Sequence, residues 1–146
     1  MLFPKFTEGL ESVLFIALNS GADPVSSKQI CSYQDVLPRH LEPVLQILVK
    51  EGILKGTKGP RGGYTLAREK RKISVGEIFS LLSNETLASS KQKDRECNSI
   101  RKDIISKVNN EIASSIEASL QTKTIEDLCK LVEYKIKTGS KPDFHI

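Results

Sequence analysis

Leu48-Val49-Lys50-Glu51-Gly52-Ile53-Leu54-Lys55, followed by Gly59-Pro60-Arg61-Gly62-Gly63-Tyr64, is the stretch that decides the architecture. The apolar spacing up to Lys50 is helical, and Gly52 is the residue type that closes a helix in the left-handed conformation. Ile53-Leu54-Lys55 reads as a short strand, and Gly63-Tyr64-Thr65-Leu66 as its return. Between them the glycines permit positive φ and Pro60 stiffens the turn, while Lys58 and Arg61 project from the tip. The segment is therefore a helix followed by a β-hairpin with a basic, glycine-rich tip.

Upstream, Phe6 to Ser20 reads as a first helix, with Leu10, Val13, Leu14, Ala17 and Leu18 at helical spacing. Gly21 and Pro24 end it. Ser26-Ser27-Lys28-Gln29 matches a capping box, in which the serine hydroxyl takes an orphan N–H and the glutamine reaches back. A second helix then runs to about Tyr33. Gln34-Asp35-Val36-Leu37 is a tight turn, and Pro38 suits the first position of a third helix with Leu41, Leu45, Leu48 and Val49 on its apolar face. Leu37 offers no side-chain cap. Pro43, inside that helix, removes a hydrogen bond at a cost of about 3 kcal/mol and predicts a kink or a shortened start. Two helices joined by so short a turn form a helix-turn-helix, and the hairpin makes it a winged one.

Downstream, Ser74 is the expected cap of a fourth helix ending near Leu82. Residues 83–99 are polar, rich in Ser, Lys and Glu, and without periodicity, which predicts a loop. From Ile100, the residues Ile104, Val108, Ile112, Ile116 and Leu120 recur every four positions, with Ile105 beside them. An apolar stripe on an otherwise polar helix must be buried against something, and a second copy of the same helix is the expected partner. Thr124-Ile125-Glu126-Asp127 caps a last helix to about Ile136, with Cys129 expected to pack under the long helix. The expected organisation is a winged helix-turn-helix domain over 1–82, a flexible loop over 83–99, a dimerisation helix with a terminal helix over 100–138, and a tail over 139–146. The fold class is mainly α with a small β-hairpin.

Charge supports a polyanionic partner. Residues 1–73 carry 11 Lys+Arg against 7 Asp+Glu, whereas residues 74–146 carry 11 of each. Within 50–73 there are eight cations against Glu51 and Glu69, so the net charge of +4 is concentrated near the hairpin. A local cation cluster placed against phosphates releases condensed counterions. With 5% aromatics and no Trp, the core must be aliphatic. No apolar run reaches the roughly 18 residues of a membrane span, and no secretory pattern opens the chain. Three widely spaced cysteines, Cys31, Cys97 and Cys129, form no disulfide framework and point to a reducing cytoplasm. The glycine-rich loop lacks a Gly-Lys-Ser/Thr ending and leads into a strand, so it is no nucleotide cradle. Two histidines, one of them His145, and no nucleophile–base–acid set argue against an enzyme.

Taken in order, Pro24-Val25-Ser26, Leu41-Glu42-Pro43-Val44-Leu45, Gly52-Ile53-Leu54, Gly59-Pro60-Arg61-Gly62-Gly63-Tyr64 and Ile73-Ser74-Val75-Gly76-Glu77-Ile78 resemble the winged-helix regulators of the IscR/NsrR type, dimeric bacterial transcription factors. The resemblance covers residues 1 to about 84, and more loosely the long helix and the Thr124 cap. It implies a DNA surface. Lys5 corresponds to a basic residue ahead of the first helix. Ser26, Ser27 and Lys28 would offer a helix N-terminus to phosphate. Arg39, His40 and Glu42 would lie on the base-reading face, and Lys58 and Arg61 on a wing that in relatives enters the minor groove. Arg39 would either read guanine or touch phosphate, and Glu42 would either accept from cytosine or make a helical i,i+4 contact.

Cluster-binding members carry three cysteines in the loop before the long helix; here that loop has only Cys97. An iron–sulfur cluster needs about four ligands, so the resemblance is to the cluster-free branch and no cofactor is expected. The expectation is a homodimeric, sequence-specific regulator, in the main a repressor, on a palindromic double-stranded DNA operator. The loop would couple a signal to the spacing of the two reading helices. Two alternatives stand beside it: a regulator gated by a thiol (Cys97, with Lys93 and Arg95 nearby) or by a partner protein, and a winged helix used for protein contacts alone.

Overall fold

The computed structural model describes residues 3–19, 21, 23–88 and 99–139. Cys97, His145, most of the expected loop and the tail lie outside the described residues. Three helices come first: α1 (Pro4–Asn19), α2 (Ser27–Gln34) and α3 (Pro38–Lys50). A two-stranded antiparallel hairpin follows, β1 (Leu54–Thr57) and β2 (Gly63–Leu66), with Leu54 opposite Leu66 and Thr57 opposite Gly63. A 3-10 turn at Lys70–Lys72 leads to α4 (Val75–Ala88), α5 (Ser99–Leu120) and α6 (Ile125–Lys137).

The core is aliphatic, as the composition requires. Val13 and Ile16 of α1, Ile30 of α2, and Leu41, Val44, Leu45 and Leu48 of α3 are buried together with Ile53, Ile73, Ile78 and Leu82. The apolar face of α1 is rotated from the expected stripe: Ile16 is fully buried, whereas Leu18 is exposed. α1 begins two residues earlier than the periodicity indicates, so Lys5 lies in its first turn and not ahead of it. Close packing of α1 requires Gly9, where a Cβ would lie 2.2 Å from Leu82 Cδ1 of α4 and 3.2 Å from Val44 Cγ1 of α3. Three aromatic side chains meet at that interface, with the Phe3 and Phe6 rings each edge-on to Phe79 at 5.2 Å.

The helix-turn-helix forms as its local signals demand. The capping box of α2 is complete, with Gln29 N donating to Ser26 Oγ and Ser26 N donating to Gln29 Oε1. Asp35 ends the helix in the left-handed conformation, φ 54°. Pro38 is the first residue of α3 and Leu37 gives it no side-chain cap. The expected shortening at Pro43 does not occur: α3 is continuous from Pro38 to Lys50. Pro43 is exposed, so the Arg39 carbonyl that loses its N–H partner remains open to solvent and the helix need not break.

Two further expectations are corrected. α4 does not stop at Leu82 but continues to Ala88, because 83–88 contain no Gly or Pro to end it; Ser83, read as loop, is buried. Nor does Cys129 pack under the long helix. α6 packs on α1 and the 3-10 turn, and Ile125 and Cys129 join the same core as the first three helices. The terminal helix thus packs on the same core as the first three helices. Its junction with α5 is tied to the start of α4 by a short antiparallel bridge, in which Val75 N donates to Lys123 O and Ile125 N to Ile73 O. Capping at both helix starts is as read: Glu77 N donates to Ser74 Oγ, and Thr124 and Asp127 form a reciprocal box.

Among the described residues, α5 is most closely packed near its C-terminal end. A Cβ at Gly76 would lie 2.9 Å from the Glu117 carbonyl oxygen, so the α4 backbone sits directly on that of α5. Farther towards its start, Ile100, Ile104, Ile105, Val108 and Ile112 are all exposed. No helix among the described residues is long and apolar enough to cross a membrane.

Candidate nucleic-acid interface

The start of α2, the outer side of α3 and the hairpin meet at one groove. Ser26, Ser27, Gln46, Lys50, Lys58 and Tyr64 are among the residues that line it, in a volume of about 560 Å³. What sets this geometry is a backbone pairing between the hairpin and the residue before the α2 cap. Val25 N donates to Tyr64 O at 3.0 Å and Tyr64 N to Val25 O at 2.7 Å. The approach is possible because residue 63 is glycine: a Cβ there would lie 2.3 Å from the Val25 carbonyl oxygen. The hairpin tip turns through Gly59 at φ 116°, and Gly62 N donates to Gly59 O. The position of the hairpin relative to the α2 N-terminus is therefore fixed by main-chain atoms.

Of the residues singled out from sequence, Ser26, Ser27 and Lys58 line this groove, Lys28 and Glu42 line a second hollow beside Pro38, and Arg39, His40 and Arg61 line neither. Ser26 caps α2, and Ser27 and Lys28 form its first turn, where unsatisfied N–H groups favour an anion. Arg39, His40 and Glu42 are exposed on the first turns of α3. Lys58 and Arg61 are exposed at the tip. Lys28, Arg39, Lys50, Lys55, Lys58 and Arg61 make no ion pair with a carboxylate among the described residues. Lys5, at the α1 start beside the phenylalanine cluster, does not line the groove.

Not every cation near the hairpin faces outward. Arg68 donates to the Gly52 carbonyl, to the Lys72 carbonyl and to Glu77 Oε1, the last at 2.7 Å. It ties the end of α3 to the start of α4. Arg71 pairs with Glu69. The apparent charge of +6 over 50–73 therefore overstates what the surface offers.

Sequence reasoning missed Gln46 and Lys50 as parts of this surface. Both were recoverable from the α3 periodicity, because they fall opposite Leu41, Leu45 and Leu48. Tyr64 was missed as a hinge of the groove, since its contribution is made by backbone atoms.

The two described thiols face inward. Burial, with the Glu42 carboxylate adding to it, pushes the Cys31 thiol above its ordinary value. Burial does the same at Cys129, against the nearby Lys70 charge that lowers it.

Residues 4–131 match the family described as Rrf2, an iron-dependent transcriptional regulator. The chain belongs to the Rrf2 family. It is 32% identical over 145 residues to an HTH-type transcriptional regulator of Haemophilus influenzae, covering 99% of this chain and 95% of that protein. Among solved structures it is similar to CymR, the global cysteine regulator of B. subtilis, with 26% identity and a TM-score of 0.64 over 87% of this chain and 94% of that one. It is also similar to IscR of T. potens, with 30% identity and a TM-score of 0.61 over 97% and 90%. The chain is thus a transcriptional regulator with a winged-helix fold, and no enzyme.

The family description raises iron. The described donors do not fit it: Cys31 and Cys129 are buried on separate helices, and burial disfavours the thiolate that would bind metal. Among the described residues no three His, Cys, Asp or Glu side chains gather.

Proposed function

We propose that this Rrf2 protein binds double-stranded DNA as a homodimer and represses transcription by occupying an imperfect palindrome, without an iron–sulfur cluster. The observation that carries the DNA reading is the convergence of three elements on one groove: the α2 N-terminus, the outer side of α3 and a hairpin tip whose cations have no carboxylate partners among the described residues. An α-helix fits the major groove, and the adjacent tip then meets the neighbouring backbone or minor groove. Ser26, Ser27 and Lys28 take a phosphate, Arg39, His40 and Glu42 stand at the base edges, and Lys58 and Arg61 follow the groove beside them. The exposed isoleucines of α5 supply the dimer contact. Two-fold symmetry of the protein is then mirrored in the operator.

The test is fluorescence anisotropy on DNA from the protein's own upstream region against scrambled DNA, at several salt concentrations. A preference of roughly a thousandfold at physiological salt is expected. Equal, steeply salt-dependent binding to every selected and scrambled sequence would refute sequence-specific regulation by the free protein.

A further inference from the structure

Arg39, Pro43, Gln46 and Lys50 lie at i, i+4, i+7 and i+11 of α3, and all four are exposed. They form one row along the side of the helix opposite Leu41, Leu45 and Leu48. The row begins and ends in a cation. Its ends are about 16 Å apart at 1.5 Å per residue, and the major groove is about 12 Å wide. With α3 lying in the groove, all four face the DNA, and the two uncharged residues between the cations fall over base edges. Gln46 also lines the groove beside the hairpin, and among the described residues its amide has no partner within the chain.

Pro43 is otherwise without a rationale. It contributes nothing to the core, leaves the Arg39 carbonyl without its helical donor, and presents an apolar ring to solvent. A ring at that position makes sense as a surface for the one apolar group that the major groove displays, the thymine methyl. A glutamine amide one turn further matches the N6 and N7 atoms of adenine, donating to one and accepting from the other.

We propose that Pro43 and Gln46 are specificity-determining residues that together select A·T pairs in each half-site: Gln46 pairs with an adenine, and Pro43 seats a neighbouring thymine methyl. The inference rests on the reading of α3 as the major-groove helix.

The experiment selects half-sites from random DNA with the wild-type protein, then measures anisotropy on the selected site carrying single base analogues. One adenine replaced by 7-deazaadenine should weaken wild-type binding by roughly fivefold to a hundredfold. Gln46→Ala should lose the same factor on natural DNA and show no further response to that analogue. One thymine replaced by uracil, which lacks the methyl, should weaken wild type but not Pro43→Ala. The Pro43→Ala protein should also melt at a higher temperature, since a backbone donor is restored, so a folding defect is not confused with lost recognition. Gln46→Ala weakening selected and scrambled DNA alike would make Gln46 a phosphate contact and overturn the proposal. So would a Gln46→Ala protein that binds as wild type, or selected sites without A·T pairs. Failure to select any sequence would instead refute the DNA-regulator reading on which it rests.

Discussion

A methyl group on residue 63 would sit 2.3 Å from the Val25 carbonyl oxygen and 2.9 Å from Ser26 N, both main-chain atoms that cannot swing aside. Gly63→Ala must therefore push the hairpin away from α2. The expected loss is about 1–3 kcal/mol of stability, read as a lowered urea midpoint, together with weaker DNA binding, because the paired main chains at 25 and 64 set the groove. Gly59→Ala is the contrast: its Cβ meets nothing within 4 Å, and only the φ of 116° opposes it. The thiols give a pH prediction. Burial raises both Cys31 and Cys129 above the ordinary thiol value of 9.0. Above that pH the unfolded chain ionises its thiols while the folded chain keeps them neutral, so their contribution is present below pH 9 and is lost as pH rises beyond it. The urea midpoint should fall between pH 8 and pH 10, and fall less in Cys129→Ala. In native protein at neutral pH, mass spectrometry should find Cys31 and Cys129 spared by a thiol-alkylating reagent that labels them in urea.

Between elements, the connection that matters is Arg68. It touches the Gly52 carbonyl at the end of α3, the Lys72 carbonyl and Glu77 at the start of α4, so it spans the exit of the hairpin. Arg68→Ala should weaken DNA binding by displacing the hairpin, with the slope of log K against log salt unchanged. Lys58→Ala and Arg61→Ala should each reduce that slope by about 1, as expected for a lost phosphate contact. A drop of that size for Arg68→Ala would mean that its guanidinium reaches DNA. The sequence cannot separate these three residues, since each reads as one more cation near the hairpin. What it does disclose is whatever local chemistry controls: the Ser26 and Thr124 capping boxes, Pro38 at a helix start, and Gly52 and Gly59 at positive φ. What it hides depends on residues distant in the chain. The docking of α6 on α1, the backbone pairing of Val25 with Tyr64 and the internal bonds of Arg68 are tertiary events without a local signature. The α4 boundary is hidden for another reason: residues 83–88 are polar, which reads as loop, yet they contain no Gly or Pro to end the helix.

α5 poses the remaining question of assembly. Its C-terminal turns are clamped to α4 at Gly76, and the bridge at Ser74 and Thr124 fixes the following junction. From its start as far as Ile112 it carries Ile100, Ile104, Ile105, Val108 and Ile112 into solvent. A row of branched aliphatic side chains on a long helix that is anchored at one end is stable in water only if something covers it. A second α5 provides a matching surface, because a two-fold interface brings the same patch from both copies together. Ile104→Glu with Val108→Glu should therefore sediment as a monomer, and the wild-type protein as a dimer. Far-UV circular dichroism should show the helices retained, because neither side chain is part of the core. Thermal stability of the wild type should depend on protein concentration, as for any folded state stabilised by association, and that dependence should vanish in the variant. DNA binding should weaken steeply, since each monomer engages a single half-site without the gain from joining two. A wild-type protein that sediments as a monomer at micromolar concentration would overturn the dimer, and would leave the exposed face of α5 to a different protein partner.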